Sequence, residues 1–157
     1  MITSLEELGI NPVYAAGLPE NPGLYKCIFV CLGMMGNNHV LTTAEGNLLS
    51  NYLLTGGRLY MEGGDTWFND PSTSVHSMFG IAGIHNGYND PGLIMGQEGG
   101  FAGNMIFQYN GDESSIDRLS VSGNNAFELF RNQVPLYCNS IANDEGYYKT
   151  VGNAVAI

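Results

Sequence analysis

The sequence predicts an α/β fold of three layers around a mostly parallel sheet, with a strand-rich C-terminal half. Residues 25–32 are apolar on both alternating faces, which is typical of a strand covered by helices on both sides. Apolar residues at helical spacing follow over residues 42–55, and residues 58–62 form a second apolar strand. A strand, a helix and a strand in this order predict a right-handed parallel crossover.

The ends of the predicted helix carry their own signals. Thr42 and Glu45 have the spacing of a capping box, in which a hydroxyl and a carboxylate bind the first free backbone N–H groups. Gly56 is typical of the left-handed residue that ends a helix. The apolar face between these ends consists of Ala44, Leu48, Leu49, Tyr52 and Leu53.

The second half of the chain predicts mostly β-structure. Val75, Met78 and Phe79 indicate a short helix over residues 74–79 with these side chains inward. From residue 105 onward, Asn, Gly and Asp turns separate the apolar runs. The predicted strands are residues 105–109, 118–121, 126–130, 134–141 and 147–157. No linker divides the chain, so we expect residues 1–157 to form a single α/β domain.

The composition excludes two classes of partner. Five basic residues against fifteen acidic ones give a net charge of −10 over 157 residues. A nucleic-acid-binding protein neutralises phosphates with Lys and Arg, so we expect no nucleic-acid partner. An anionic membrane surface is disfavoured for the same reason. No stretch approaches the roughly twenty apolar residues of a membrane span, and we expect no signal peptide in this chain, because Met1 leads directly into a short helical pattern at residues 4–8.

The three cysteines are expected to be buried free thiols. Cys27 and Cys31 lie four residues apart on one predicted strand, about 13 Å from each other along it. A disulfide requires Cα atoms within about 7 Å, so these two cannot pair with each other. Cys138 could pair with one of them only if its strand lies alongside. No Cys/His spacing is typical of a zinc site.

Four segments between residues 25 and 67 carry a family resemblance. They are residues 29–33, Thr42-Thr43-Ala44-Glu45, Gly56-Gly57 and residues 59–64. Together they resemble the flavodoxin-like, Rossmann-like domains of the class I glutamine amidotransferase superfamily, including its trehalose-utilisation-type members. Residues 59–68 with residues 147–152 are similar, more narrowly, to uncharacterised domains appended to secreted bacterial surface proteins and peptidases.

The resemblance implies a non-catalytic member of that family. Catalytic amidotransferases place a cysteine in a Gly-x-Cys-x-Gly elbow after a strand, whereas the comparable turn here is Gly63-Gly64-Asp65. We therefore expect an accessory or interaction domain of an exported bacterial protein, secreted or at the cell surface and joined to other domains. The family fold begins with a central strand that this chain lacks and continues beyond residue 157, so a fragment trimmed at both ends is expected.

An alternative hypothesis is a small hydrolase. In parallel α/β sheets, ligands bind just outside the carboxyl ends of strands, where Glu62, Asp65 and His76 are expected. Two carboxylates and an imidazole can perform acid–base chemistry within hydrogen-bond reach. The structural interpretation is that Asp65 caps a turn. The ligand-binding candidates at this edge are Gly63, Gly64, Asp65, Trp67 and Tyr88.

A third hypothesis is a carbohydrate- or calcium-binding module. Oxygen ligands for calcium are available at Asn86, Asn89 and Asp90, and further on at Asp112 and Glu113. Asn/Asp/Gly turns explain the same residues without a metal, so no metal or other cofactor is expected, with calcium the alternative. Trp67 and Tyr88, with Phe68 and Tyr109, could form a stacking platform for a sugar, although such aromatic residues more often belong to a core.

The missing first strand predicts how the chain assembles. Residues 10–16 are typical of an edge strand, because Pro12 has no N–H to donate to a ladder. Without a central strand between them, we expect residues 10–16 to pair directly with residues 25–32. An apolar edge that stays open is a template for another strand, so a homodimer is expected to cover it.

Overall fold

The computed structural model describes residues 1–34, 36–112 and 116–155. Within these ranges the helices are α1 (Ile2–Glu7) and α2 (Thr43–Leu54), with short 3-10 turns at Pro22–Leu24 and His76–Phe79. The strands are β1 (Ile28–Cys31), β2 (Arg58–Glu62), β3 (Ile81–His85), β4 (Leu93–Gly96), β5 (Ile106–Gln108), β6 (Arg118–Val121), β7 (Ala126–Gln133), β8 (Leu136–Asp144) and β9 (Lys149–Asn153). None of these helices has the length and apolar character needed to cross a bilayer.

The strands form one mixed sheet that curls into a half-barrel. Neighbouring strands follow the order β1-β2-β9-β8-β7-β4-β5, while β3 pairs with β6 and β6 pairs with β8. β1, β2 and β9 run parallel to one another. The other pairings are antiparallel.

The expected three-layer, mostly parallel, flavodoxin-like or Rossmann-like fold is therefore wrong. The β1–α2–β2 unit is parallel as predicted, but β9 returns from the end of the chain to lie beside β2. On the far side of β9 in the sheet, each pair of neighbouring strands is antiparallel. The described residues contain one helix longer than two turns, so a helical layer on each face cannot form.

Helix α2 begins and ends where the sequence predicts. Thr42 Oγ1 accepts the backbone N–H of Glu45, and the Glu45 carboxylate accepts the backbone N–H of Thr42, so the capping box is confirmed. Gly56 has a φ of +95° just beyond the helix, as a left-handed terminating residue should. The helix covers one face of β1 and β2 in a cluster of Ile28, Val30, Leu49, Tyr52, Leu53, Leu59 and Met61.

The opposite face of β1 is open, which corrects the prediction of a strand buried on both sides. Burial alternates along β1, and Phe29 remains 41% exposed while Ile28 and Val30 are buried. Cys31 is exposed as well. Apolar side chains on both faces of a strand therefore do not by themselves show that both faces are covered by the same chain.

The N-terminal segment does not pair with β1. Residues 10–16 form no strand, and the backbone N–H of Ile10 donates to the carbonyl of Leu5 instead. Val13 and Tyr14 are 73% and 79% exposed. The predicted closure of residues 10–16 onto residues 25–32 is therefore wrong, because residues 10–16 form no strand. Within the described residues, β1 is an edge strand of the sheet.

The β-rich second half is confirmed in its main features. Strand β6 has the predicted bounds, while β7 and β8 are each longer at their C-terminal ends than expected. Val75 and Phe79 are fully buried at the 3-10 turn His76–Phe79, as the predicted inward positions require. These elements extend the sheet away from the parallel strands and leave the carboxyl ends of β1, β2 and β9 together.

Candidate functional site

The last residues of the three parallel strands form a row across the sheet. Cys31 ends β1, Glu62 ends β2 and Asn153 ends β9, and they are direct neighbours in register. Because neighbours in register project to the same face, the three side chains share the face opposite α2. Phe29 and Tyr60 lie two residues earlier on that face. These five residues, here called the carboxyl-end row, form the candidate functional site.

The carboxyl-end row is held by hydrogen bonds centred on Tyr60. Its hydroxyl donates to Glu62 Oε2 at 2.6 Å and accepts from Asn153 Nδ2 at 3.1 Å. The Phe29 and Tyr60 rings pack with their centroids 5.6 Å apart. Burial, and then the charge of Glu62, raises the pKa of the Tyr60 phenol, so the hydroxyl keeps its proton and remains a donor.

The thiol of Cys31 is exposed but poorly activated. Partial burial, then the negative charge of Glu62 and a hydrogen bond to it, raise the pKa of Cys31 to about 11, against a smaller lowering by the Met1 ammonium. The thiolate is the reactive form of cysteine, so little of it exists at neutral pH. All three cysteines are free, but only Cys138 is buried, so the prediction of burial is wrong for Cys27 and Cys31.

The glycine turn that follows β2 is tied to the neighbouring strands. The N–H of Gly63 donates to the carbonyl of Asn153, and the N–H of Gly64 donates to the carbonyl of Gly33, both at 3.2 Å. A Cβ atom at Gly63 would lie 2.2 Å from Thr66 Oγ1, so the close approach of the turn requires glycine there. These two N–H groups are used within the fold and are not presented to a ligand.

Asp65 stabilises the turn in the way its structural interpretation predicts. Its Oδ1 accepts from Asn69 Nδ2 at 2.9 Å. Its backbone carbonyl accepts the N–H groups of Asn69 and Asp70 at 3.2 and 2.9 Å. Asp65 therefore closes residues 65–70 into a compact turn at the carboxyl end of β2.

Trp67 and His76 pack together on the face that α2 covers. The Trp67 ring lies edge-on to Phe79 at 5.0 Å and to His76 at 5.8 Å, and its Nε1–H donates to the carbonyl of Asn153. His76 Nδ1 accepts the N–H of Thr73 at 2.9 Å. Burial lowers the pKa of His76, against the raising effect of nearby backbone groups, so the imidazole is neutral at pH 7. Trp67 therefore belongs to the core and not to an open stacking platform.

The structure does not bring Glu62, Asp65 and His76 together as a catalytic group. Glu62 faces the carboxyl-end row, while His76 packs on the other face of the sheet against Trp67. Asp65 is engaged with Asn69 in its own turn. The three side chains have separate partners, which is the arrangement expected if each has a structural role.

A buried carboxylate outside the predicted set supports the same turn. Asp117 is 0% exposed, and its Oδ2 accepts the backbone N–H groups of Trp67 and Phe68, both at 3.0 Å. Its Oδ1 finds no partner within the described ranges. Burial, reinforced by the charges of Asp65 and Asp70, raises the pKa of Asp117 to about 7, against the lowering effect of the two N–H groups.

Residues 85–92 form a second candidate region, and side chains of β6 and β8 hold it in place. The Asp90 carboxylate pairs with Arg118 Nη2 at 2.8 Å through Oδ2, and its Oδ1 accepts from the Tyr137 hydroxyl at 3.1 Å. The Arg118 guanidinium lies 4.7 Å from the centre of the Tyr137 ring and 5.9 Å from that of Tyr88. Asp90 is thus engaged as an ion-pair partner, and Tyr88 is 63% exposed beside it.

The calcium candidates differ in their exposure to solvent. Asn89 and Asp112 are exposed, and the Oδ1 atom of Asn86 is buried. Glu113 lies outside the described residues. In the part of the chain that the structure describes, no group of three or more His, Cys, Asp and Glu side chains is placed to hold a metal ion.

Sequence reasoning missed most of the carboxyl-end row. It selected Glu62 but not Tyr60, and it assigned Cys31 to the packing of the sheet. Asn153 could be found only by knowing that β9 lies beside β2, a contact between residues more than 85 positions apart. The signal that could have identified these residues is their position at the end of an apolar strand, because parallel strands place their carboxyl ends along one edge of the sheet.

Comparisons with known proteins show the fold and no family. The chain matches no protein-family model and no curated protein. Solved structures with a similar fold include the exo-β-1,4-mannosidase Op5Man5 from Opitutaceae bacterium strain TAV5, with a TM-score of 0.56 and 12% identity over 80% of this chain and 20% of that chain. Agd3, described as a novel carbohydrate deacetylase, has a TM-score of 0.54 and 16% identity over 85% of this chain and 22% of that one.

A shorter neighbour matches over more of its length. The mmIFT52 N-terminal domain has a TM-score of 0.56 and 17% identity, covering 96% of this chain and 77% of that chain. In contrast, the chain spans only about a fifth of the mannosidase and of the deacetylase. The same architecture therefore occurs as a small part of two large chains and as most of a separately solved domain.

Proposed function

We propose that this protein is a non-catalytic accessory domain that acts by binding, within a longer exported bacterial protein. The observation that carries the proposal is the state of Cys31. It is the cysteine at the carboxyl ends of the parallel strands β1, β2 and β9, the edge at which ligands bind in parallel α/β sheets. Partial burial, reinforced by the charge of Glu62 and a hydrogen bond to it, raises the pKa of Cys31 to about 11 and so disfavours the reactive thiolate.

The surrounding residues support the same proposal. An activated nucleophile requires an adjacent base to take its proton or a positive environment that lowers its pKa. Glu62 instead accepts a hydrogen bond from the Tyr60 hydroxyl, and His76 lies on the other face of the sheet. The side chains of the carboxyl-end row are thus arranged to fix a partly aromatic surface, which suits binding better than turnover.

The neighbouring structures support a role as part of a longer chain. Two of them are named as enzymes that act on carbohydrates, and the region similar to this chain is about a fifth of each. A unit that recurs as a small part of large enzymes is suited to positioning or recognition. The partners that we propose for this chain are the other domains of the parent protein or a second copy of the chain.

Enzyme assays on the purified chain test the proposal. We expect no hydrolysis of amide, ester or glycoside substrates above a blank, and the same result for Asp65→Asn. Turnover by the natural chain that disappears in Asp65→Asn would overturn the proposal and favour the hydrolase hypothesis. Asn69→Ala, which removes a partner of Asp65 without removing a carboxylate, is the matched control.

A further inference from the structure

Strand β1 presents an unpaired edge with an unusual composition. Its only strand neighbour in the described chain is β2, and residues 10–16 form no strand that pairs with its other side. The N–H of Leu32 points to β2, where it donates to the carbonyl of Glu62 at 2.8 Å. Because backbone groups of a strand alternate between its two sides, the N–H and C=O groups of Cys27, Phe29 and Cys31 point to the open edge.

This edge lacks the features that prevent strands from pairing. Natural edge strands are protected by charged residues, proline, bulges or a covering segment. Residues 27–31 read Cys-Ile-Phe-Val-Cys and contain neither a charge nor a proline. Phe29 is 41% exposed, and both cysteines are exposed. An apolar, uncharged edge of this kind is suited to receive another strand.

The sequence of the edge is also symmetric about Phe29. If a second copy pairs antiparallel with Phe29 opposite Phe29, then Ile28 lies opposite Val30 and Cys27 lies opposite Cys31. Each outward position therefore faces an identical residue type. A two-fold interface requires such self-complementarity, because the same surface serves both copies. This symmetry favours a second copy over an unrelated strand.

Pairing in this register is confined to residues 27–31, because Leu24 lies in a 3-10 turn before them and Gly33 has a φ of +94° after them. In this arrangement the side chains of Cys27, Phe29 and Cys31 from both copies lie on one face of a continuous sheet. The pairing would extend the open face that carries the carboxyl-end row across both copies.

We propose that two copies of this chain associate through antiparallel pairing of β1 with β1 about a two-fold axis at Phe29. The two nine-stranded sheets then become one continuous sheet, and the outward N–H and C=O groups of residues 27–31 are satisfied. The proposal does not depend on the proposed accessory function, since a catalytic chain could pair in the same way. If the proposed function fails its test, the proposed association is still tested by its own experiment.

Two matched substitutions test the association. Phe29→Lys places a charge on each side of the two-fold axis, whereas Phe68→Lys makes the same change at a side chain that is 45% exposed and lies in the turn after β2. In light scattering at tens of micromolar, we expect a dimer for the natural chain and for Phe68→Lys, and a monomer for Phe29→Lys. Circular dichroism checks that both variants are folded. A natural chain that stays monomeric overturns the proposal, as does a Phe29→Lys dimer.

Thiol cross-linking tests the register. Directly opposed residues of antiparallel strands have Cα atoms about 5.5 Å apart, whereas Cys31 of one copy lies about 13 Å along the strand from Cys31 of the other. Dibromobimane, a short bis-thiol reagent, should therefore not link Cys27→Ser to itself or Cys31→Ser to itself. It should link them in an equimolar mixture, where one copy supplies Cys31 and the other Cys27.

Cross-linking of the mixture can either support or overturn the proposed register. Cys138 is only 5% exposed and is present in each variant, so it contributes the same background to all samples. A cross-linked dimer confined to the mixture supports the Phe29-centred register. Equal cross-linking in the separate variants, or none in the mixture, overturns it. Serine replaces cysteine with nearly the same volume at exposed positions, so these variants are expected to fold.

Discussion

The Tyr60 hydroxyl donates a hydrogen bond of 2.6 Å to Glu62 Oε2, two residues further along the same strand. The same hydroxyl accepts from Asn153 Nδ2 at 3.1 Å, so it joins β2 to β9 through side chains as well as through the backbone ladder. Glu62 and Asn153 are 4% and 3% exposed. A buried carboxylate and a buried amide thus depend on one phenol for part of their hydrogen bonding.

Tyr60→Phe is expected to destabilise the fold by about 1–3 kcal/mol. The substitution keeps the ring against Phe29 but removes one hydrogen bond to Glu62 and the acceptor for Asn153 Nδ2, and the loss of such hydrogen bonds at buried groups costs about this much. Urea unfolding followed by tryptophan fluorescence measures the change. Tyr14→Phe is the control, because Tyr14 is 79% exposed. Equal stability of the two variants would show that Tyr60 does not support the buried groups.

The reactivity of Cys31 is expected to rise only at high pH. Because burial and Glu62 raise the pKa of the thiol to about 11, the rate of alkylation by iodoacetamide should increase towards that value. Peptide mass spectrometry measures the rate at each cysteine across the pH range, at protein concentrations low enough to keep the chain monomeric. Glu62→Gln removes the negative charge and should move the midpoint at Cys31 to lower pH.

Cys27 provides the internal comparison for that experiment. Partial burial raises the pKa of the Cys27 thiol, but the Arg58 guanidinium opposes the shift. Glu62→Gln should therefore leave the profile of Cys27 nearly unchanged while it changes that of Cys31. A midpoint for Cys31 near the ordinary cysteine value of about 8.5 would contradict the prediction.

The pH dependence of stability should depend on Asp117. Its pKa is raised to about 7 in the folded state, whereas an unfolded aspartate titrates near 3.9. Between these values the folded chain binds the proton more strongly, so the free energy of unfolding falls as pH rises from about 4 to about 7. Asp117→Asn removes the ionisation and keeps an oxygen that can accept from Trp67 and Phe68. We expect this variant to lose that decrease.

Urea unfolding at pH 4.5, 6 and 8 measures the effect, with Asp112→Asn as the control at an exposed aspartate. The gain of Asp117→Asn over the natural chain should be largest at pH 8 and on the order of 2–4 kcal/mol. Parallel pH profiles for Asp117→Asn and the natural chain would show that the carboxyl group is not protonated more readily in the folded state.

Local elements of this fold were predictable from the sequence because their signals are contained in a few residues. The capping box of Thr42 and Glu45 and the left-handed Gly56 defined α2 at both ends, and the apolar run Arg58–Glu62 defined β2. Each of these features depends on hydrogen bonds or packing within about four residues. Such signals do not change with the arrangement of the rest of the chain.

The arrangement of the sheet was not predictable in the same way. The pairing of β9 with β2 joins residues about ninety positions apart, and nothing in Lys149–Asn153 specifies a parallel neighbour. The strand pairing was therefore inferred from the resemblance to a parallel α/β family, whose fold requires helices that this chain does not contain among its described residues. The carboxyl-end row was missed for the same reason, because Asn153 joins it only through β9.

The contact between α2 and residues 72–76 gives a final prediction, which runs against helix propensity. A Cβ atom at Gly46 would lie 2.2 Å from Thr73 Oγ1 and 2.4 Å from Thr73 Cβ. Alanine is favoured over glycine within a helix by about 1 kcal/mol, so Gly46→Ala would stabilise a free helix. Here the overlap requires the backbone at Thr73 to move, and overpacking of this kind typically costs about 1–3 kcal/mol.

We therefore expect Gly46→Ala to lower the free energy of unfolding, measured by urea denaturation. Asn51→Ala is the matched control, since Asn51 is exposed in the same helix and should gain from the better helix former. The displaced Thr73 would also weaken its N–H···Nδ1 bond to His76, which NMR of the imidazole would detect as a changed environment. A stabilised Gly46→Ala variant with an unchanged His76 signal would mean that α2 and residues 72–76 are not in close contact.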